Sequence, residues 1–151
     1  MLRLSKKADY ALMAMKHLAL RGDRGSSNAR EIAEQYDIPI ELLAKVLQRL
    51  VRRGLLASHQ GTRGGYQLAR LPLQISVADV IQAIDGPVAV TACSSTDEAA
   101  CEQFAKCNVR DPLQRVRERI LAALADCTIA ELAADVPIQA PRHAAVLHTH
   151  L

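Results

Sequence analysis

The chain has no tryptophan, a single phenylalanine and three tyrosines among its 151 residues. Half of the residues are nonetheless hydrophobic. A core without large rings must be filled by Ala, Leu, Val and Ile, and such a composition leans helical. No run of 18 apolar residues occurs, so no membrane-spanning helix is expected. The opening "MLRLSKKADYALMAMK" carries no apolar run followed by a small-residue cleavage site. The expectation is a cytoplasmic protein whose thiols stay reduced, with no disulfide framework among its four cysteines. There is also no C-x-x-C redox pair, no Cys/His dyad by motif and no glycine-rich phosphate loop after a strand. A thiol enzyme or a cluster carrier therefore finds no support, and no small-molecule substrate is expected.

Charge of one sign is scarce in each half. Residues 1–70 hold 13 Lys and Arg against 6 Asp and Glu, whereas residues 71–151 hold 6 against 10. A basic N-terminal half on an acidic C-terminal half suits a chain with one face toward a polyanion, although surface scatter gives the same tally.

Periodicity then supplies the elements. "LSKKADYALMAMKHLALRG" places Ala8, Ala11, Leu12, Met15, Leu18 and Ala19 on one helical stripe, with Ser5 as cap and Gly22 past the end. Asn28 and Glu31 form a capping box for the short helix "AREIAEQY", with Ile32 and Ala33 inward. "DIP" breaks it, and Pro39 suits the first turn of a new helix, "PIELLAKVLQRLVRRG". That helix turns Leu43, Val46, Leu47 and Leu50 one way and Glu41, Lys45, Gln48, Arg49 and Arg52 the other. "LLASH" and "YQLAR" read as two short strands around the tip "QGTRGG". Two helices on a tight turn followed by a basic hairpin describe a winged helix-turn-helix, in which the second helix enters the major groove and the wing lies along the backbone or in the minor groove. A three-helix bundle with a hairpin lid has the same order of elements; the charge placement favours DNA.

The fold expected is mainly α. Residues 1–75 form a winged helix-turn-helix domain with a two-stranded wing. Residues 76–134 carry a linker helix, a cysteine loop at 88–110 and a long late helix, and 135–151 form a poorly ordered tail. Ser76 caps "SVADVIQAIDG" with Asp79 at its third position, and Gly86-Pro87 stops it. Asp111, Pro112 and Gln114 read as cap, first residue and capping-box glutamine of "PLQRVRERILAALADC". Leu113, Val116, Ile120, Leu121 and Leu124 make its apolar stripe, either monomer core or a dimer seam that lets two recognition helices address adjacent grooves. Thr128 with Glu131 caps "TIAELAAD". His143, His148 and His150 of the tail could bind nickel or zinc, a weaker reading than disorder.

"ACSSTDEAACEQFAKC" holds Cys93, Cys101 and Cys107, separated by seven and five residues. Disulfide pairing leaves one thiol over, and a structural zinc site wants a fourth ligand and tighter spacing. Cys127, at a helix end, falls outside this pattern and reads as an incidental or buried thiol.

"LSKKADYAL", "AREIAEQYDIP", "LAKVLQRLVRRGLLASHQGTRGGYQLAR", "ISVADVIQAIDGP", the three spaced cysteines and "TIAEL" together resemble the IscR/NsrR/RirA group of bacterial winged-helix regulators. The likeness is strongest to the branch described as regulators of SUF-type iron–sulfur cluster assembly, and covers residues 1–134. It implies a homodimeric repressor that binds double-stranded promoter DNA. It also implies that Cys93, Cys101 and Cys107 hold an iron–sulfur cluster, since thiolates are soft and match iron. Three thiolates and one weaker ligand suit a sensor, whose cluster can be lost to iron starvation, oxygen or nitric oxide.

Some members of the group supply a histidine three residues after the last cysteine; here that position is Arg110. Others supply an acid from the first helix of the opposite subunit, which points to Asp9. A 4Fe–4S cluster with Asp9 in trans is thus the preferred expectation, with a 2Fe–2S cluster as the alternative. Asp9 as a plain first-turn acid remains open. Some relatives carry an arginine where this wing has Gln60, and Arg63 is placed to take over its role. The DNA-contacting candidates are Glu41, Lys45, Gln48 and Arg49 on the second helix of the motif, His59, Gln60 and Arg63 on the wing, and Ser5, Lys6 and Asn28 at helix starts. The alternative function is a cluster-free regulator of the same fold, sensing thiol oxidation or a small molecule.

Overall fold

The computed structural model describes residues 3–22, 25–62, 64–91 and 101–134. Its order is α1 (Lys6–Arg21), α2 (Ala29–Tyr36), α3 (Ile40–Arg52), β1 (Leu56–His59), β2 (Gly65–Leu68), α4 (Val77–Asp85), α5 (Arg110–Asp126) and α6 (Ile129–Ala133), with single 3-10 turns at Pro72–Gln74 and Phe104–Lys106. This is a winged helix-turn-helix with an added long helix.

Side-chain caps define the helix starts. Ser5 accepts from the Ala8 amide, and Asn28/Glu31, Ser76/Asp79 and Thr128/Glu131 form complete capping boxes. Each pairing satisfies amides that the first turn leaves without partners. The turn between α2 and α3 runs through Asp37 in the left-handed region (φ 53°), with the Ile38 amide donating to the Ala33 carbonyl. A short polar side chain tolerates that conformation. Pro39 is the cap residue of α3 and not its first helical residue; proline fits either place because neither needs its amide.

One aliphatic core joins the elements. Ala8, Ala11, Ala14, Met15 and Leu18 of α1 meet Leu43, Val46, Leu47 and Leu50 of α3, Val80, Ala83 and Ile84 of α4 and Ile129 of α6. The sequence stripe of α1 is rotated slightly. Ala14 and His17 are buried, while Leu12 and Ala19 are only partly covered. The starts of α4 and α6 are stapled together, since the Val77 amide donates to the Cys127 carbonyl and the Ile129 amide to the Ile75 carbonyl.

β1 and β2 pair antiparallel with Leu56 opposite Leu68 and His59 opposite Gly65. Ser27 adds a third rung, exchanging both backbone bonds with Tyr66 at 3.1 and 2.8 Å. This close approach accounts for Gly65 of "GGY", and the hairpin's own backbone for Gly64. A Cβ on Gly65 would lie 2.6 Å from the Ser27 carbonyl oxygen, at a φ of 152°, and one on Gly64 would lie 2.6 Å from the His59 oxygen.

α5 begins at Arg110, so Asp111 is not its cap. Val109 occupies the cap without a side-chain bond, and Asp111 sits in the first turn paired with Arg110 at 3.1 Å. Pro112 is acceptable anywhere in that first turn, so it did not fix the starting residue. No residue of α5 is fully buried.

Candidate nucleic-acid interface and cysteine segment

α3 projects from the core with Glu41, Lys45, Gln48 and Arg52 on its exposed side. Their spacing of three or four residues puts them on one face. The Gln48 amide nitrogen donates to the Tyr66 hydroxyl at 2.9 Å, which ties this face to the wing. His59 and Gln60 are exposed at the wing's rising edge. Arg63, at its tip, lies outside the described residues.

The other expected contact residues have structural work. Asn28 caps α2, and Ser5 caps α1 while its amide and hydroxyl donate to the Asp85 carboxylate. The Lys6 ammonium lies 5.5 Å from the centre of the Tyr10 ring and is exposed. Arg49 is exposed as well, and its Nε donates to the Ala83 carbonyl of α4 at 2.7 Å.

A feature not read from the sequence lies beneath this surface. His17, 8 % exposed, places Nδ1 3.0 Å from the Tyr36 hydroxyl and Nε2 3.2 Å from the hydroxyl of Ser27. It thereby joins α1, α2 and the strand rung beside the wing. Burial, then the Arg21 charge, holds the imidazole below its ordinary pKa, against a smaller opposing pull from Glu31. Histidine on a helix stripe carries no motif, so only the tertiary packing reveals it.

Cys101 and Cys107 are both partly buried and flank the 3-10 turn Phe104–Lys106, with the Phe104 amide donating to the Cys101 carbonyl at 3.0 Å. The Arg110 guanidinium stacks on the Phe104 ring, 4.7 Å from its centre. Arg110, a residue with no metal-ligating lone pair, is thus a brace between this turn and the start of α5. Cys93 lies outside the described residues, as do the tail and its histidines. Asp9 is half-buried in the first turn of α1. Among the described residues no three His, Cys, Asp or Glu side chains gather as a metal site within the chain. Cys127 is a different kind of thiol: burial, a hydrogen bond to Glu131 and that residue's charge all raise its pKa.

The end of α4 is the crossing point of these parts. Ala83 meets α3, Asp85 meets α1, and the Val88 carbonyl accepts from Arg117 of α5 at 3.1 Å. A cleft of about 350 Å³ opens here, lined by Leu4, Ile81, Val88, Ile120 and Leu124 among others.

A family model described as "Rrf2: Iron-dependent Transcriptional regulator" matches residues 4–135. The chain belongs to the Rrf2 family. Its relatives within that family include the HTH-type transcriptional regulator IscR of Cronobacter sakazakii, 33 % identical over 131 residues that make up 87 % of this chain and 80 % of that one. Among solved structures, CymR of B. subtilis, the global cysteine regulator, superposes with a TM-score of 0.73 at 27 % identity, covering 91 % of this chain and 100 % of CymR. T. potens IscR superposes with a TM-score of 0.71 at 27 % identity, covering 89 % and 88 %. An Rrf2 chain with this fold is a transcriptional regulator and not an enzyme, of the IscR type that the cysteine spacing and the wing motif resemble. Among the described residues no helix is long and apolar enough to cross a membrane.

Proposed function

We propose that the chain is a homodimeric, cytoplasmic DNA-binding repressor that reports iron–sulfur cluster supply to genes of SUF-type cluster assembly. The observation that carries this reading is the placement of Cys101 and Cys107 around one braced turn at the foot of α5, in an Rrf2 winged helix. The donor set fits such a cluster: two half-buried thiols flank that turn, the third cysteine lies eight residues before the first of them, and the remaining cysteine, Cys127, stands apart at the far end of α5. A bound cluster would supply a labile, oxidant-sensitive group on three soft thiolates. Cys93, Cys101 and Cys107 would hold it, with Asp9 of a second copy as the fourth ligand and 4Fe–4S as the preferred type.

On the DNA side, Lys45 and Gln48 of α3 would face the major groove with Glu41, while His59, Gln60 and Arg63 of the wing would lie along the backbone or in the minor groove. Lys6 is free to meet phosphate; Ser5 and Asn28 would contribute through the helix starts they cap. α5 would form the dimer seam. Its Leu113, Ile120, Leu121 and Leu124 are only half-covered and Val116 is 44 % exposed, an incomplete burial for the longest helix among the described residues.

Anaerobic purification tests the reading. A brown protein with iron and inorganic sulfide is expected. Cys93→Ala, Cys101→Ala and Cys107→Ala should each lose stable cluster, and Cys127→Ala should keep it. Unchanged iron content in Cys101→Ala would sink the assignment. The likeness to CymR favours one second reading, a cluster-free regulator of the same fold that responds to thiol chemistry or a small molecule. A colourless protein that binds DNA would establish it.

A further inference from the structure

Three elements converge on the last residues of α4, which ends at Asp85 and so leaves its last four carbonyls without partners inside the helix. In a helix the carbonyl of residue 83 is met by the amide of residue 87. Residue 87 is Pro87, which has no amide hydrogen. The Gly86 amide already serves the Gln82 carbonyl. The Ala83 carbonyl is therefore left for an outside donor, and Arg49 of α3 supplies it through Nε at 2.7 Å in a part-buried position. A guanidinium at the C-terminal end of a helix also meets the negative end of its dipole. Two residues further, Asp85 receives the Ser5 hydroxyl and amide from α1. Val88 receives Arg117 from α5, and the chain then runs on toward Cys93.

We propose that Arg49 is a positioning residue and not a DNA contact: it fastens the recognition helix to the end of α4, and through that joint the cysteine segment and α5 set where α3 meets DNA. The tie itself is independent of any cofactor. Its part in signalling rests on the cluster reading given above. A shift of Val88 or Asp85 on cluster gain or loss would move the α4 end, and Arg49 would carry that movement to its neighbour Gln48 and to Lys45 one turn away on α3. The sequence "GP" after α4 and the arginine on α3 are thus two halves of one device.

Salt dependence separates this role from phosphate binding. Each phosphate neutralised contributes about 0.9 to the slope of log affinity against log salt. Wild type, Arg49→Ala, Arg49→Gln and Lys45→Ala are titrated against one duplex, a genomic fragment selected by the wild-type protein. Cluster-loaded and metal-free forms are measured anaerobically, and melting curves identify any variant that is not folded. Lys45→Ala should lower the slope by about 0.9. Arg49→Ala should weaken binding about tenfold at fixed salt, by the loss of one charged hydrogen bond, with the slope unchanged. The ratio of loaded to metal-free affinity should move toward one. Arg49→Gln, which keeps a donor but no charge, should keep the slope and lie between the two. A slope lowered by about 0.9 in either Arg49 variant, with the affinity ratio intact, makes Arg49 a phosphate contact and overturns the proposal. Unchanged affinity in both variants overturns it as well. If wild type itself shows no difference between its two forms, the cluster reading fails, and the slope and affinity of the Arg49 variants still decide the tie.

Discussion

At the scale of single residues, Asp9 and His17 stand one above the other in chemical interest and apart in legibility. Asp9 sits half-buried in the first turn of α1, a place where the helix dipole alone favours an acid. A carboxylate is also a hard ligand, so on an iron otherwise held by sulfur it would be the most easily displaced. Asp9→Ala is therefore expected to assemble cluster on the three cysteines but to lose its visible absorbance faster in air than wild type. Equal lifetimes would make Asp9 a helix-start acid only. His17 gives a prediction of a different kind. Its pKa in the folded chain lies below the ordinary 6.5, mainly because burial disfavours the imidazolium. Below that pH the unfolded chain binds a proton that the folded one resists, so unfolding gains ground as pH falls. Urea unfolding should show stability lost as pH drops below 6.5, and His17→Gln should flatten that part of the curve. A wild-type curve no steeper than that of the variant would mean that His17 titrates freely.

At the scale of elements, caps and breakers were legible and tertiary choices were not. Ser5, Asn28, Ser76 and Thr128 each act on their own first turn, so four helix starts could be read from four local patterns. The start of α5 could not, because Pro112 tolerates several first-turn places and Val109 caps without a side chain. The face of α3 was clear from its leucines, yet the direction of Arg49 depended on an unpaired carbonyl 34 residues away. The need for glycine at position 65 depended on Ser27, brought beside Tyr66 only by the fold. α5 carries the prediction at this scale. Val116 is 44 % exposed within a helix that has no fully buried residue. A charge there costs the single chain little but would have to be buried in a seam between two copies. Val116→Glu should leave the circular dichroism of the chain intact and shift its sedimentation from dimer to monomer at micromolar concentration. An unchanged dimer would place the seam elsewhere.

At the scale of the molecule, the charge asymmetry read from the sequence has a structural counterpart. The basic surplus falls on α1 and α3, and the acidic surplus on the half that holds the cysteine segment. The two halves are nonetheless packed on one core, since α4 and α6 bury Val80, Ala83, Ile84 and Ile129 against α1 and α3. A local change at Cys101 and Cys107 therefore has a packed path to the exposed face of α3, through α5 and the end of α4. Coupling between two such sites is commonly worth about 5- to 150-fold in affinity. The central claim, that occupancy of the three-cysteine segment controls DNA affinity, is tested most directly by one paired titration. The protein is prepared anaerobically, its iron and sulfide are counted, and its affinity for a selected genomic fragment is measured before and after chelation of the metal. The account predicts bound iron and sulfide that depend on Cys93, Cys101 and Cys107, and affinities that differ at least about fivefold between the two forms. The same affinity in both forms, or tight DNA binding by a protein that never holds iron, would contradict it.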